Sequence, residues 1–348
     1  MIDLIEELFR KIGRPVNLME VCGTHTVAIF KHGIRGLLPE GLKLLSGPGC
    51  PVCVTSIRDI DKAIALATRD DVIFTTFGDM MRVPGSVKNL SEAKAEGADI
   101  RIVYSPLDCL KIASENWDRK VIFFSAGFET TAPSAAATIF EADRQGIDNF
   151  YIYCVHKLVP PALEVLLQSD DVRIDGFMLP GHVSTIIGSR VYEFIAEKYS
   201  RPCVITGFEA EAILTGITML LKQIAEGAAK VEIQYKSAVR EEGNLKALDF
   251  MNEYFEACDG YWRGIGLIKG SGLKIRDKWK YRDAEQVFGV DVPDIPEPKG
   301  CQCGLVLRGV KIPPECPLFG KICTPERPVG ACMVSTEGSC AAYYRYKL

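Results

Sequence analysis

The chain has 348 residues, enough for two or three domains, and with 47% hydrophobic and 25% charged residues it has the composition of a globular protein. Its 41 Lys and Arg residues are balanced by 45 Asp and Glu residues without any block of like charges, so nothing indicates nucleic-acid binding. The first residues are acidic where a secretory signal would be basic, and the longest uncharged apolar stretch, residues 212–221, is too short to cross a bilayer. We therefore expect a soluble, cytoplasmic protein whose thirteen cysteines are ligands, redox groups or core residues.

Short apolar segments, each followed by a turn and a helical pattern, predict parallel sheets wrapped by helices. They form two series in chain order: 17–21, 42–45, 71–77 and 100–104, then 121–124, 150–155, 174–179 and 202–206. We interpret them as two similar α/β domains, residues 1–118 and 119–235. A Gly-Phe-Glu sequence follows a predicted strand at residues 127–129 and again at 207–209, which is weak support for a repeat.

Residues 236–348 are expected to form a third region, after a strand at 231–235. It has a helix at 245–255, a Gly-rich passage at 260–272 and a charged stretch at 274–283. A Pro-rich linker at 292–298 then leads into a cysteine-rich tail.

Ligands of open parallel sheets bind beyond the carboxyl ends of strands, so the turns there are candidate sites. The first such turn contains Cys22, Thr24, His25 and Thr26. A helix that begins here would lower the pKa of the Cys22 thiol, and a thiolate is what a metal ligand or a nucleophile requires. A buried cysteine beside a Thr helix cap is the alternative.

The second turn is Gly-Pro-Gly-Cys-Pro-Val-Cys, residues 47–53. A C-x-x-C sequence at a helix start is typical of dithiol oxidoreductases, because one thiol is activated and the other resolves a mixed disulfide. Cys50 and Cys53 are therefore interpreted as a redox pair or transient iron ligands, with half of a zinc knuckle or a purely structural pair as alternatives.

Two later turns place Glu129 and His182 at strand ends of the second series. Neither residue alone identifies a site. Nearby Thr130, Thr131 and Ser184 are expected to cap helices, and His156 is expected to be a hydrogen-bonded residue at a strand end. Four further thiols lie in apolar surroundings and are predicted to be core residues: Cys109, Cys154, Cys203 and Cys258. The chain contains neither a Walker-type phosphate loop nor a G-x-G-x-x-G sequence after a strand.

Six cysteines fall within residues 301–340, and four of them leave gaps of 14, 6 and 16 residues: Cys301, Cys316, Cys323 and Cys340. Prolines exclude a long helix here, so the loops need a covalent or metallic centre to hold them. Four well-spaced thiolates suit a [4Fe-4S] cluster, whereas structural zinc favours paired C-x2-C knuckles, which this tail lacks. Zinc and scattered structural thiols remain alternatives, and the sequence leaves open whether Cys303 or Cys332 replaces one of the four ligands.

Five motifs, in this order, resemble those of the HypD family of hydrogenase maturation proteins. They are CGTHT at 22–26, GPGCPVC at 47–53, GFETT at 127–131, PGHVS at 180–184 and the C-x14-C-x6-C-x16-C tail. The resemblance spans the whole chain. It implies two α/β domains with an iron-sulfur domain, and a scaffold that assembles the Fe(CN)2(CO) moiety of [NiFe]-hydrogenase. It also implies the small chaperone HypC as a partner and cyanide delivery by HypE, which is served by HypF; the hydrogenase large subunit is the indirect recipient.

The resemblance further implies roles for individual residues. Cys22 would hold the iron together with a cysteine of HypC, and Cys50 and Cys53 would be the redox-active pair. The cluster ligands would be Cys301, Cys316, Cys323 and Cys340. Low-spin iron that binds cyanide and CO suits soft thiolate ligands and a nearby electron supply. His25, Glu129 and His182 would orient or protonate groups around that iron.

Two other classes of function remain. In one, the chain is an iron-sulfur thiol-disulfide reductase that passes electrons through Cys50 and Cys53 to a protein disulfide. Such an enzyme has no need of a third thiol at Cys22. In the other, it is a binding protein whose tail cluster is only structural.

Overall fold

The computed structural model describes residues 1–293 and 295–346, so Asp294 of the expected linker lies outside the described residues. The strands are β1 (Val16–Glu20), β2 (Leu42–Ser46), β3 (Val72–Thr76), β4 (Ile100–Ile102), β5 (Lys120–Ser125), β6 (Phe150–Cys154), β7 (Gly176–Pro180), β8 (Cys203–Thr206), β9 (Val231–Ile233), β10 (Phe255–Trp262) and β11 (Gly266–Ile275). The α-helices are α1 (Ile2–Ile12), α2 (Gly23–Lys31), α3 (Pro51–Val54), α4 (Ile57–Ala67), α5 (Leu90–Ala95), α6 (Asp108–Glu115), α7 (Ala132–Gln145), α8 (Val159–Leu167), α9 (Gly181–Ile187), α10 (Glu193–Tyr199), α11 (Ala210–Glu226), α12 (Leu245–Tyr254), α13 (Ala284–Phe288), α14 (Cys303–Leu307) and α15 (Ser339–Tyr346).

Two parallel sheets form the centres of two lobes, as the alternating pattern predicts. The first sheet has the order β2-β1-β7-β8-β9 and the second β4-β3-β5-β6. All residues of β3, β7 and β8 are buried, because helices cover both faces of each sheet. The predicted α/β class is confirmed.

The two lobes do not correspond to the two halves of the chain. The expected boundary at residue 118 falls between β4 and β5, which belong to the same sheet. β1 and β2 lie in the first sheet, β3 to β6 in the second, and β7 to β9 return to the first. The alternating pattern locates strands but carries no information on which strands pair, which is why a sequential division was expected. The chain therefore crosses between lobes twice, and the first crossing starts at α3, the C-x-x-C helix.

The strand registers bring the carboxyl ends of the first sheet to one edge. Glu20 pairs with Ser46 of β2 and Met178 of β7, and Pro180 pairs with Thr206 of β8. In the second sheet Ser125 pairs with Cys154 in the same way. Each predicted turn motif therefore begins at an edge where ligands of parallel sheets bind.

The Gly-rich passage, expected as a connection, is largely part of an antiparallel hairpin of β10 and β11. A register irregularity lies between Cys258 and Gly260, and Gly264 and Gly266 have positive φ at the tip. Glycines therefore supply the bulge and the turn, while the apolar residues Ile268, Leu273 and Ile275 are buried.

The tail packs against both lobes instead of forming a core of its own. Its buried residues Cys303, Leu307, Cys332 and Met333 belong to the same apolar cluster as Cys50 and Cys53. Within the described ranges, no helix combines the length and the apolar character that crossing a membrane requires.

Candidate functional site

Cys22 lies directly beyond β1 and is the N-cap residue of α2, as the sequence predicts. Its side chain accepts no capping hydrogen bond, although the backbone of Thr24 and His25 acts to lower its pKa. Gly49, which precedes the C-x-x-C, lies against its backbone: a Cβ at Gly49 would be 2.3 Å from Cys22 N. Only glycine allows the two motifs to approach this closely.

The expectation that the helix terminus makes Cys22 a thiolate is wrong for the metal-free chain. Burial raises the pKa of the Cys22 thiol to about 12, and the nearby N–H groups only partly oppose this effect. A helix end contributes roughly half an elementary charge, which is less than full desolvation costs a thiolate. A bound cation would supply the missing positive charge, because a coordinating thiol is deprotonated.

Glu20, the last residue of β1, anchors this turn from behind. Its Oε2 accepts a hydrogen bond from Cys22 N (3.2 Å), and its Oε1 accepts one from Thr26 Oγ1 (2.5 Å). Burial raises the pKa of Glu20 to about 7. The carboxyl group thereby fixes both ends of the first turn of α2.

His25 is fully buried on the same turn. Its Nε2 lies 3.0 Å from the Gly207 carbonyl oxygen and 3.0 Å from Thr206 Oγ1. Because a carbonyl only accepts, Nε2 carries the proton, which leaves Nδ1 as a lone pair without a partner among the described residues. Burial lowers the pKa of His25 to about 4, so the ring is a neutral base.

His182 joins this edge through Phe208, the Phe of the second Gly-Phe-Glu sequence. The rings of His182 and Phe208 are stacked, with their centroids 4.0 Å apart. The ring centroid of His25 lies 4.8 Å from that of Phe208. Burial lowers the pKa of His182, while the charge of Glu337 from the tail opposes the shift. Glu337 Oε1 also accepts a hydrogen bond from Thr24 Oγ1 (2.8 Å), so the tail reaches the Cys22 turn.

The second motif forms α3, with Cys50 at its N-cap and Pro51 in its first turn. The Cys50 sulfur accepts a hydrogen bond from Cys53 N (3.4 Å). Both side chains are buried, with 4% and 0% of their surface exposed, and neither is in a disulfide. Burial raises the pKa of Cys53 well above its usual range.

A run of thiols continues from α3 into the tail. The segment 331–333 packs against α3, and the thiols of Cys53 and Cys332 are close enough to shift each other's pKa. Cys332 lines the cysteine cavity together with Cys301, Cys303 and Cys340. Cys53 and these four tail cysteines are therefore neighbours and form one sulfur network.

The four predicted cluster ligands line one small common cavity. Its other lining residues are thiols, apolar side chains and a glycine: Cys303, Cys332, Leu318, Phe319, Met333 and Gly330. Cys323 accepts a hydrogen bond from Val329 N (3.3 Å), and a Cβ at Gly330 would lie 2.7 Å from the Cys301 sulfur. Sulfurs with N–H donors in an apolar shell fit an iron-sulfur cluster. Among the residues that the structure describes, no three His, Cys, Asp or Glu side chains are grouped to hold a single metal ion.

Glu129 lies apart from these thiols, at the carboxyl edge of the second sheet. Its Oε1 accepts a hydrogen bond from Val159 N (2.9 Å), and its Oε2 has no partner among the described residues. Burial raises the pKa of Glu129 to about 7, so it is a buried carboxyl group that holds its proton near neutrality.

The remaining strand-end residues are structural. His156 Nε2 lies 3.0 Å from Thr131 Oγ1, so the expectation of a hydrogen-bonded histidine is confirmed. Thr131 and Ser184 do not cap helices through their side chains, contrary to expectation, because Thr131 bonds His156 and Ser184 donates to the Pro180 carbonyl. Cys109 and Cys203 are buried core thiols as predicted, whereas Cys154 and Cys258 are only partly buried.

The structure thus brings Cys22, His25 and His182 to one edge, and it places Cys50 and Cys53 between that edge and the cysteine cavity. Sequence reasoning missed Glu20, Phe208 and Glu337. Glu20 gives a usable signal, a carboxylate inside an apolar strand segment. Glu337 gives no such signal in the sequence, because its contact with Thr24 depends on how the tail packs against the first lobe.

Comparisons with known proteins cover the full length of the chain. A family model described as HypD, "Hydrogenase formation hypA family", matches residues 1–347. The hydrogenase maturation factor HypD of Rhodobacter capsulatus is 47% identical over 348 residues, which is 99% of this chain and 92% of that protein. The proteins of the same name from Escherichia coli K12 and Azotobacter vinelandii are each 47% identical, over 337 and 340 residues, covering 96% of this chain and 90% of their own lengths.

Proposed function

The chain belongs to the HypD family of hydrogenase maturation factors, and from this premise we propose that it is the scaffold on which the Fe(CN)2(CO) moiety of [NiFe]-hydrogenase is assembled. The iron is cargo, held by Cys22 and by a cysteine of the small chaperone HypC. HypE, itself served by HypF, delivers the cyanide. The hydrogenase large subunit then receives the finished moiety.

One observation carries this proposal: three sulfur sites of different kinds adjoin one another. The Cys22 turn lies against the loop before Cys50, and Cys53 is a neighbour of Cys332 at the wall of the cavity. Iron that binds cyanide and CO requires soft ligands and a local source of electrons. With a cluster in the cavity, the soft ligands and the source of electrons would lie within one core.

In the proposed chemistry each group on this chain has a limited task. The cavity cysteines Cys301, Cys316, Cys323 and Cys340 would hold a [4Fe-4S] cluster, which supplies electrons one at a time when bound. Cys303 and Cys332, which both line the cavity, would connect it to Cys53. The buried, neutral His25 is suited to accept a proton or hydrogen bond at Nδ1 beside the cargo iron.

Release of cyanide from a carrier that holds it as an electrophilic cyano group consumes two electrons. Oxidation of Cys50 and Cys53 supplies them: the bond between carrier and cyano carbon breaks, and an S–S bond forms between the two sulfurs. One thiol proton goes to the carrier atom and the other to solvent, while cyanide leaves as an anion. Two one-electron reductions and two protons, with an external electron donor, restore the dithiol.

The alternative of a general thiol-disulfide reductase is less well supported. Cys50 and Cys53 are almost entirely buried, so a folded protein disulfide has no direct access to either sulfur.

Iron content tests the proposal. Anaerobic chain purified with HypC should carry about five irons, four from the cluster and one cargo iron. Cys22→Ser should reduce this to about four, because a hydroxyl does not replace a thiolate on low-spin iron. The matched control is Cys109→Ser, a buried thiol in the second lobe, which should keep five. Equal iron in the Cys22→Ser and wild-type complexes would place the cargo elsewhere.

A further inference from the structure

Arg263 is a buried cation whose hydrogen bonding is incomplete. Its side chain has 0% exposure, its Nη2 donates to the Pro84 carbonyl (2.7 Å), and its Nε donates to Glu297 Oε2 (3.3 Å). Its Nη1 has no partner among the described residues. A buried guanidinium with an unused donor is costly unless a further negative group faces it.

The position of Arg263 indicates that this negative group belongs to the sulfur network. Its backbone N donates to Val54 O of the C-x-x-C helix (2.8 Å). The next residue, Gly264, packs so closely on Gly304 that a Cβ on it would lie 2.5 Å from Gly304 Cα, beside Cys303. Arg263 therefore lies between the dithiol helix and the cysteine cavity.

Glu297 does not fully neutralise Arg263. The carboxylate side chain is 36% exposed and is bonded through a single long contact, so solvent screens much of its charge. The buried guanidinium therefore keeps part of its positive charge uncompensated. No other acidic side chain is paired with Arg263 in the part of the chain that the structure describes.

We propose that Arg263 is the charge-compensating residue of the sulfur network, and that it raises the reduction potential of the cluster held by the cavity cysteines. The inference rests on the cluster of the proposed function. Reduction adds negative charge to a buried site that already holds four thiolates, and a fixed cation beside it stabilises the reduced state more than the oxidised one. Arg263 is thus a tuning residue that need not touch the cargo.

Redox titration of the full-length protein, followed by electron paramagnetic resonance, tests this. In Arg263→Gln the ratio of reduced to oxidised cluster at the wild-type midpoint should fall about tenfold, which for a one-electron couple is a shift of about 59 mV to lower potential. Arg263→Lys keeps the charge and should remain within about threefold of wild type. Glu297→Gln removes the partial counter-charge and should shift the ratio in the opposite direction, upward by about twofold to threefold.

The matched control is Arg282→Gln, another buried arginine, which is paired with Asp143 in the second lobe. Its cluster should titrate as in wild type. A loaded Arg263→Gln protein with an unchanged potential, or an equal shift in Arg282→Gln, would overturn the inference. If Arg263→Gln takes up no cluster, the Glu297→Gln protein provides the test. An unchanged ratio of reduced to oxidised cluster in that variant would mean that Arg263 has only a structural role and would overturn the inference. A wild-type protein without any cluster would instead refute the proposed function.

Discussion

At the scale of single residues, burial outweighs the effect of a helix terminus. Cys22 occupies the N-cap position that the sequence predicts, yet its surroundings keep the thiol protonated in the free chain. The same position, at the N-terminus of α2, suits a thiolate as soon as a cation binds. The local sequence reveals the cap, but only the packed structure reveals the desolvation.

Glu129 gives a prediction on pH. Because burial raises its pKa from 4.5 to about 7, its neutral form favours the folded state. The stability that this group contributes is fully present below pH 4.5 and is lost as pH rises through 7. Glu129→Gln cannot ionise, so between pH 5 and pH 8 it should gain on the order of 2 kcal/mol relative to wild type. Thermal unfolding of both proteins at each pH measures this, and parallel pH profiles would show that Glu129 is not held neutral.

Cys332 gives a prediction on electron transfer. Since Cys332 is a neighbour of Cys53 and lines the cavity together with Cys303, Cys332→Ser should interrupt the route from cavity to dithiol. After reduction of the cluster by dithionite, recovery of the Cys50–Cys53 dithiol should slow at least about tenfold, because the variant removes the sulfur that lies between the cavity and Cys53. Alkylation and mass spectrometry follow the two thiols over time.

Cys203→Ser, at a buried thiol in β8, is the control for this experiment and should recover at the wild-type rate. Loss of the cluster in Cys332→Ser would mean that Cys332 is itself a ligand. Unchanged recovery with the cluster intact would exclude Cys332 from the route.

At the scale of elements, the tail has short helices and many loops. α14 has 5 residues and α15 has 8, and prolines interrupt the chain between them. Such a segment depends on its thiols and on contact with the lobes, because its own helices are too short to be stable alone. This dependence was foreseeable from the sequence, since it follows from composition.

Cys323→Ala should therefore loosen the tail. With one ligand removed, cluster loading should fall and limited proteolysis should cut residues 308–330 at least about fivefold faster, since metal binding and folding are coupled. Fragment masses locate the cuts. Cys258→Ala, in the hairpin, is the control and should be digested like wild type. Equal digestion of Cys323→Ala and wild type would mean that packing alone holds the tail.

The positions of strands and of turn motifs could be predicted because both are local. The predicted strands at 17–21 and 42–45 match β1 and β2 to within a residue, and Cys50 is the N-cap of α3. The pairing of β1 with β7 could not be predicted, because the two strands are separated by the whole second lobe and any buried parallel strand has the same apolar pattern. The contact of Glu337 with Thr24 was hidden for the same reason.

At the scale of the whole molecule, the double crossing of the chain explains why distant motifs meet. The first crossing carries Cys50 and Cys53 away from the edge of the first sheet, and β7 returns beside β1 to add His182 to that edge. The tail then closes over α3 from outside. The Cys22 turn, the C-x-x-C pair and the cysteine cavity thereby become neighbours, although the first two come from residues 22–53 and the cavity cysteines from residues 301–340.

The central claim is that this chain builds a cyanide- and CO-bearing iron on Cys22, and infrared spectroscopy of the anaerobic complex with HypC tests it most directly. The wild-type complex should show CN and CO stretching bands in the region where proteins do not absorb. Cys22→Ser should lack them while retaining its cluster, because Cys22 does not line the cavity that the predicted cluster ligands share. Absence of the bands in the wild-type complex, or their persistence in Cys22→Ser, would contradict the account.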